Sequence, residues 1–250
     1  MFIIADGIDG SGKGTVVQAL VERRRKRGDR VFDLREFTRT EHRLPEPEEL
    51  TPYNVLVSGE PTYTWVGAAL RDELVRANER TYSARRTAEA FALDRLILYR
   101  RVLLPARARG MDIYQERGVT SSLVYQLQQP AIDGTDRDED SITIDALCAL
   151  EGNRLALANP PDALLLLTVD PSRALRRLEL RIDKQDESVF ERLAALERLH
   201  AEFQSDRFRR QLAQHGWRIE YVDANGAVED AVAAAALRVD AATVTTHTTL

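Results

Sequence analysis

One cysteine, Cys148, stands in 250 residues. No intrachain disulfide is possible, and a reducing compartment, the cytoplasm, is the expected location. Cys148 falls on an apolar helical face, Ile144-Asp145-Ala146-Leu147-Cys148-Ala149-Leu150, and reads as a small buried hydrophobe rather than a nucleophile. No apolar run approaches the ~20 residues that cross a bilayer, so no membrane partner is expected. The N-terminus has neither a basic region nor a long apolar stretch, so no secretory signal is expected. A basic excess is missing too: 35 Lys and Arg against 40 Asp and Glu leave a net charge of −5. That balance argues against a sequence-independent nucleic-acid binder. The run Arg23-Arg24-Arg25-Lys26-Arg27 is a local exception. Before Gly28 it fits the last turn of a helix, where cations complement the dipole, better than a nucleic-acid patch. The acidic loop from Asp133 to Asp140 lacks the glycine and the distal glutamate of a calcium loop and reads as solvated surface. No internal repeat is visible.

What is present is ordinary in bulk and ordered along the chain. A hydrophobic fraction of 44% with 30% charged residues suits one soluble α/β domain. Strand-like runs at Phe2–Ala5, Val31–Leu34, Val55–Val57, Asp112–Gln115, Ala163–Val169 and Arg218–Val222 alternate with helical patterns, which predicts a parallel sheet of about five strands with helices on both faces. Leu164-Leu165-Leu166-Leu167 suits a strand buried on both sides. Five strands are expected rather than six because Val31–Leu34 and Val55–Val57 need not both join the main sheet. The Glu- and Pro-rich stretch at about 38–54 reads as a loop insertion between them. Asp170-Pro171 predicts a helix start after the leucine strand. Ser188-Val189-Phe190-Glu191 is a capping-box pattern, and the charged connection 181–187 before it is expected to move as part of a lid at about 177–187. Residues 1–240 are expected to form the single domain, with a disordered tail over 241–250.

Residues Gly7 to Thr15 read G-I-D-G-S-G-K-G-T between the first apolar run and an amphipathic stretch. Such a strand–loop–helix unit holds phosphates: backbone N–H groups face a concavity at a helix start, the dipole favours anions, and Lys13 adds a mobile cation. Gly7, Asp9, Gly10, Ser11, Gly12, Lys13, Gly14 and Thr15 are the candidate contacts to a nucleotide phosphate; an ordinary flexible turn is the alternative. Lysine occurs only at 13, 26 and 184 among the 35 basic residues. Its use in the loop is therefore informative, because a compact point charge follows a moving phosphate as a rigid guanidinium does not. The hydroxyl usual directly after the lysine is displaced: Gly14 stands there and Thr15 follows.

Further constellations narrow the reading. They are G-E-P-T at Gly59–Thr62, F-A-L-D-R at Phe91–Arg95, E-R-x-x-x-S-S-x-x-Y-Q from Glu116 to Gln126, V-D-P at Val169–Pro171 and V-D-A-N from Val222. With the phosphate loop they resemble, in order and over about residues 1–235, the thymidylate kinases, P-loop nucleoside monophosphate kinases that phosphorylate dTMP with MgATP. The resemblance implies ATP and Mg²⁺ as cofactors, dTMP as acceptor and a homodimer. It assigns Arg95 and Arg117 to the acceptor phosphate, with Arg71 as a third, since a guanidinium fork meets phosphate oxygens bidentately. Phe91 would stack on thymine, Ser122 and Gln126 would face its polar edge, and Tyr125 would lie under the deoxyribose. Phe91 and Tyr125 as plain core residues are the other reading. Asp9, Glu60 and Glu116 would point toward the phosphates and Mg²⁺, with Thr15 as a possible further ligand and Asp9 alternatively a loop cap.

Three positions depart from the family's usual pattern: Glu116 where Asp is common, Gly118 where Tyr or His is, and Gly59 where Arg is. The family's catalytic arginine comes from the phosphate loop or the lid. Gly10 has no side chain, so the lid is expected to supply it, Arg181 first and Arg177 or Lys184 behind. Lys13, Asp9, Arg95 and Arg181 are thus the catalytic candidates. A kinase for another nucleoside monophosphate or a deoxynucleoside, and a nucleotide-binding regulatory module without turnover, are the alternatives.

Overall fold

The apolar runs become strands and the stretches between them become helices. A computed structural model describes residues 1–76, 78, 80, 82–134, 141–180 and 192–248. The first half contains β1 (Phe2–Asp6), α1 (Lys13–Lys26), β2 (Val31–Asp33), α2 (Leu34–Glu41), β3 (Val55–Gly59), α3 (Trp65–Ala69), α4 (Ala84–Leu98), α5 (Leu104–Ala108) and β4 (Asp112–Glu116). The second contains α6 (Val119–Asp133), α7 (Ile144–Ala149), α8 (Glu151–Leu157), β5 (Ala163–Thr168), α9 (Pro171–Glu179), α10 (Leu193–Phe203), α11 (Asp206–Gln214), β6 (Ile219–Asp223) and α12 (Val228–Thr248). The strands form one sheet in the order β2-β3-β4-β1-β5-β6, every pair parallel. Helices cover it as a P-loop NTPase-type α/β fold.

The sheet has six strands, not five. Val31 and Val55 pair in register, so β2 and β3 both belong to it, and β2 forms its edge with three residues. The segment expected as a loop insertion is also more ordered than its composition suggests. Asp33 caps α2 by accepting from the backbone N–H groups of Arg35 and Glu36, and Leu34 and Thr38 are its buried contacts. A 3₁₀ turn follows at Pro47–Leu50.

Local signals account for several boundaries. The basic run closes α1: Gly28 at φ 90° donates to the carbonyl of Arg25 while Asp29 donates to that of Arg24, a Schellman closure. Carboxylates take up its charges, Asp240 at Arg23, Asp29 and Asp112 at Arg24, and Glu22 at Arg25, as expected of a solvated helix end. Asp170 caps α9 from Ser172 and Arg173, with Pro171 in the first turn. Leu164 to Leu167 are buried at the centre of the core. The last helix continues to Thr248, through most of the segment expected as a disordered tail. Its run Ala233-Ala234-Ala235-Ala236 favours helix strongly, and extending an existing helix is far easier than starting one. The expected capping box at 188–191 and most of the acidic loop lie outside the described residues. Among the described residues no helix is long and apolar enough to cross a membrane.

Parallel pairing sets the site. Ala5 and Gly59 both lie opposite Glu116 in register, so the ends of β1, β3 and β4 deliver the phosphate loop, the G-E-P-T turn and Glu116-Arg117 to one edge. Crevices beyond the carboxyl ends of parallel strands are where such sheets bind ligands.

Candidate active site

Gly12 precedes α1 at φ 89° and no side chain caps the helix start, so the first N–H groups are left for an anion. The Ser11 hydroxyl is buried beside them without a protein partner. Lys13 is buried, its Nζ donating to the Ile8 carbonyl at 3.0 Å and 3.7 Å from Asp9 Oδ1. Burial, and next the neighbouring charge of Arg117, pull the Lys13 ammonium down to about 8.

Asp9 gathers the centre of the site. It pairs with Arg117, accepts from the Tyr125 hydroxyl at 3.0 Å and faces Lys13. Arg117 holds φ 65°, a left-handed conformation unusual for a side-chain-bearing residue and costing on the order of 1–3 kcal/mol. Its Nη1 donates to Ser121 Oγ at 3.3 Å. Tyr125 belongs to the core cluster, with Arg117 over its ring at 5.2 Å. The described geometry thus matches the buried-tyrosine reading, with the hydroxyl holding Asp9. Asp6, at the end of β1, was not singled out from the sequence. It accepts from the Gly7 N–H and the Ser121 hydroxyl, both at 2.8 Å, and from Thr120, tying loop to α6. Its position directly before the first loop glycine was the available signal.

On the acceptor side the G-E-P-T turn contains a cis Glu60-Pro61 bond and is clasped from two directions. Asp94 accepts from the N–H and hydroxyl of Thr62 at 2.8 and 2.7 Å. Arg71 donates to the carbonyls of Thr62, at 3.1 Å, and Pro61. Arg95, expected to meet the acceptor phosphate, lies deeper, its side chain 1% exposed. Its Nε donates to Glu60 Oε2 at 2.7 Å, Nη1 to Asn153, and Nη2 to Ser122 Oγ at 3.0 Å and the Gly118 carbonyl at 3.3 Å. All three guanidinium nitrogens are turned to protein acceptors. Ser122 therefore holds Arg95 rather than facing outward. Gln126 is buried with its amide oxygen lacking a protein partner, so an acceptor is available there. Phe91 is half-buried on α4, outside the core cluster.

Of the expected Mg²⁺ ligands, Glu60 is occupied: Arg95 takes one oxygen and Gln115 the other at 3.0 Å. Burial pushes its carboxyl up to about 7 against the pull of Arg95. Asp9 is equally engaged, and Thr15 is exposed at the first turn of α1. Glu116 differs. Its carboxylate hangs over Gly14, where an added Cβ would come within 3.1 Å of Oε2, and its nearest cation is Arg35 at 3.6 Å. The longer acid and the missing side chain at 14 fit each other, which neither residue signals alone. Arg35 fills a second gap: a Cβ on Gly59 would meet its Cδ at 3.3 Å, so Arg35 occupies the space a side chain at 59 would need. Asp33 anchors it at 2.8 Å. Among the described residues no three His, Cys, Asp or Glu side chains converge as a metal site. One available carboxylate at the loop fits Mg²⁺ held mainly by phosphates and water.

Beyond the loop a cleft of about 350 Å³ is lined by Gly10, Gly12, Thr15, Arg177, Ala224 and Val228, among others. Gly10 has φ 78°, and a Cβ there would meet the Ala174 carbonyl oxygen at 2.4 Å, so the backbone of α9 leaves no room for a loop arginine. Arg177, one turn further along α9, bonds the carbonyls of Ala224 at 2.7 Å and Gly10 at 3.4 Å. Arg181 and Lys184 lie outside the described residues.

The thymidylate kinase family profile matches residues 48–234. Over 234 residues the chain is 27% identical to the thymidylate kinase of Exiguobacterium sp., covering 92% of this chain and 89% of that protein. It is 28% identical over 203 residues to the thymidylate kinase of Leptospira borgpetersenii, covering 81% and 79%. A probable thymidylate kinase of Pyrococcus abyssi is 28% identical over 201 residues, covering 79% and 77%.

Proposed function

The chain belongs to the thymidylate kinase family, and we propose that its reaction is the ATP-dependent phosphorylation of dTMP to dTDP, which supplies deoxynucleotides for DNA synthesis. The observation that carries this reading is the meeting of Lys13 and Arg117 on Asp9. The cation of the donor loop and an arginine of the acceptor side converge on one carboxylate, so the phosphates they hold come side by side. Phosphoryl transfer asks little else of a protein than positioning and charge stabilisation.

ATP lies with its phosphates on the Gly7–Thr15 loop and its body in the cleft beside Arg177. Mg²⁺, when bound, neutralises charge on the phosphates, with Glu116 as its side-chain contact. Arg177 stands nearest the place of the absent loop arginine and supplies the lid-side charge. Arg71 and Arg117 face the acceptor phosphate, Phe91 and Gln126 the base, and Arg95 positions Glu60 and the G-E-P-T turn beneath them. A coupled ADP-release assay over nucleosides and monophosphates tests the reading. The highest kcat/KM is expected for dTMP; a higher value for another acceptor, or turnover with none, overturns it.

Nucleotide binding should also weaken in alkali. Lys13 in the free protein titrates at about 8 rather than 10.5, and bound phosphates favour its charged form. Binding above pH 8 therefore takes up a proton, and affinity falls by up to about tenfold per pH unit above that point. Calorimetry of ATP binding at pH 8.5, in buffers of different ionisation enthalpy, should show this uptake. Its absence would place the titration elsewhere.

A further inference from the structure

The unit formed by β2 and α2 precedes residue 48, where the family match begins. It adds the edge strand of the sheet and brings two arginines to the site. Arg35 and Arg39 are four residues apart in α2 and so share one face of it. Arg35 fills the space over Gly59. The guanidinium carbon of Arg39 lies 3.8 Å from the centroid of the Tyr63 ring, and that of Arg71 lies 3.6 Å from the same centroid. At these distances each cation must stand over the ring, and two cannot share one face, so Tyr63 is sandwiched between them.

Stacking on an aromatic face offsets only part of the cost of holding like charges together. Among the described residues neither Arg39 nor Arg71 has a carboxylate within ion-pair distance, whereas their neighbours Arg35, Arg95 and Arg117 each do. Burial most of all, with the like charges of Arg117 and Arg39 adding to it, holds the Arg71 guanidinium below its ordinary value. A fixed pair of unneutralised cations at the mouth of a site suits an external anion. The strand order identifies which one. The donor cleft beside Arg177 and Ala224 lies toward β5 and β6, while the Tyr63 sandwich lies on the opposite side of β1, beyond β3.

We propose that Arg39 binds the phosphate of the acceptor monophosphate, as one jaw of a clamp whose other jaw is Arg71 and whose spacer is Tyr63. This assignment rests on the reading of the chain as a monophosphate kinase. It makes the β2–α2 unit part of the acceptor site.

Calorimetric titration of the full chain with dTMP and with thymidine, without ATP, tests it, because the two ligands differ only in the phosphate. Arg39 is exposed, so its replacement does not threaten the core. Arg39→Ala should weaken dTMP binding by about tenfold or more, the scale of a lost charge-assisted contact, and leave thymidine binding unchanged. Arg39→Lys should recover part of the loss, since it restores the charge without the fork. In steady state KM for dTMP should rise while KM for ATP stays. Unchanged dTMP affinity in Arg39→Ala overturns the assignment, as does an equal loss for dTMP and thymidine, which would mean that Arg39 acts only through the placement of Tyr63. Failure of the parent protein to bind dTMP would instead overturn the kinase reading and the assignment with it.

Discussion

Lys13→Ala removes phosphoryl transfer and leaves the fold intact. The ammonium is buried at the start of α1, and its protein contacts are the Ile8 carbonyl at 3.0 Å and Asp9 at 3.7 Å. Neither repays its desolvation, which is why it titrates at about 8. The sign for stability follows. A lysine whose folded value lies below the unfolded 10.5 contributes stability above that pH and loses it as pH falls through about 8. At pH 7 the free protein therefore holds this charge at a cost. Alanine relieves that cost and loses only the packing of the stem, so the melting temperature should stay level or rise. Activity behaves oppositely, because bound phosphates are what the charge serves. One preorganised donor is worth roughly a hundredfold in kcat, and a mobile cation on the transferring group should exceed that. Retention of more than about a tenth of parental kcat, judged against that hundredfold scale, would remove Lys13 from the catalytic centre.

The phosphate loop was legible because its signal is local: an apolar strand, glycines and lysine, then a helix, all within a short stretch of chain. The strands were legible for a related reason, since Leu164 to Leu167 state their burial by composition alone. The β2–α2 unit was legible only in part: the run Val31–Leu34 reads as a strand, but neither its place in the main sheet nor the helix after it does. Its strand has three residues, its helix carries Arg35, Glu36, Arg39 and Glu41, and its support comes from pairing with β3, which periodicity does not report. The lid charge shows a different limit. Gly10 indicated that the loop lacks an arginine, but not why. A Cβ on Gly10 would fall 2.4 Å from the Ala174 carbonyl oxygen; α9 thus lies against the loop and brings Arg177 to it, a relation between residues 10 and 174 that no short window contains.

Arg95 is where local reading and structure diverge most. Its motif suggests an outward contact, yet Glu60, Asn153 and Ser122, which surround it, are 35, 58 and 27 positions away. Asn153 reaches it because α8 packs closely on α4 at Gly152, where a Cβ would fall 1.8 Å from the Ala92 carbonyl oxygen.

The second large effect follows from that burial. Arg95→Ala leaves Glu60, Asn153 and Ser122 facing a cavity, and removing one partner of a buried ion pair costs about 3–5 kcal/mol. The loss should depend on pH. Glu60 titrates at about 7 in the folded protein with Arg95 beside it, against 4.5 unfolded. A carboxyl raised in this way contributes stability below 4.5 that is lost as pH rises through 7. Without Arg95 its folded value rises further, so the variant binds the proton more tightly than the parent. Its deficit should be smallest near pH 5, where Glu60 is protonated in both, and grow through pH 7 and 8 as the parent ionises Glu60 against a guanidinium that the variant lacks. Glu60→Gln in the Arg95→Ala background should flatten that dependence. Urea denaturation of the two variants and the parent at pH 5.5 and 8 separates these contributions. A deficit independent of pH would mean that Arg95 stabilises by packing and by Asn153, and that Glu60 is already neutral in the parent.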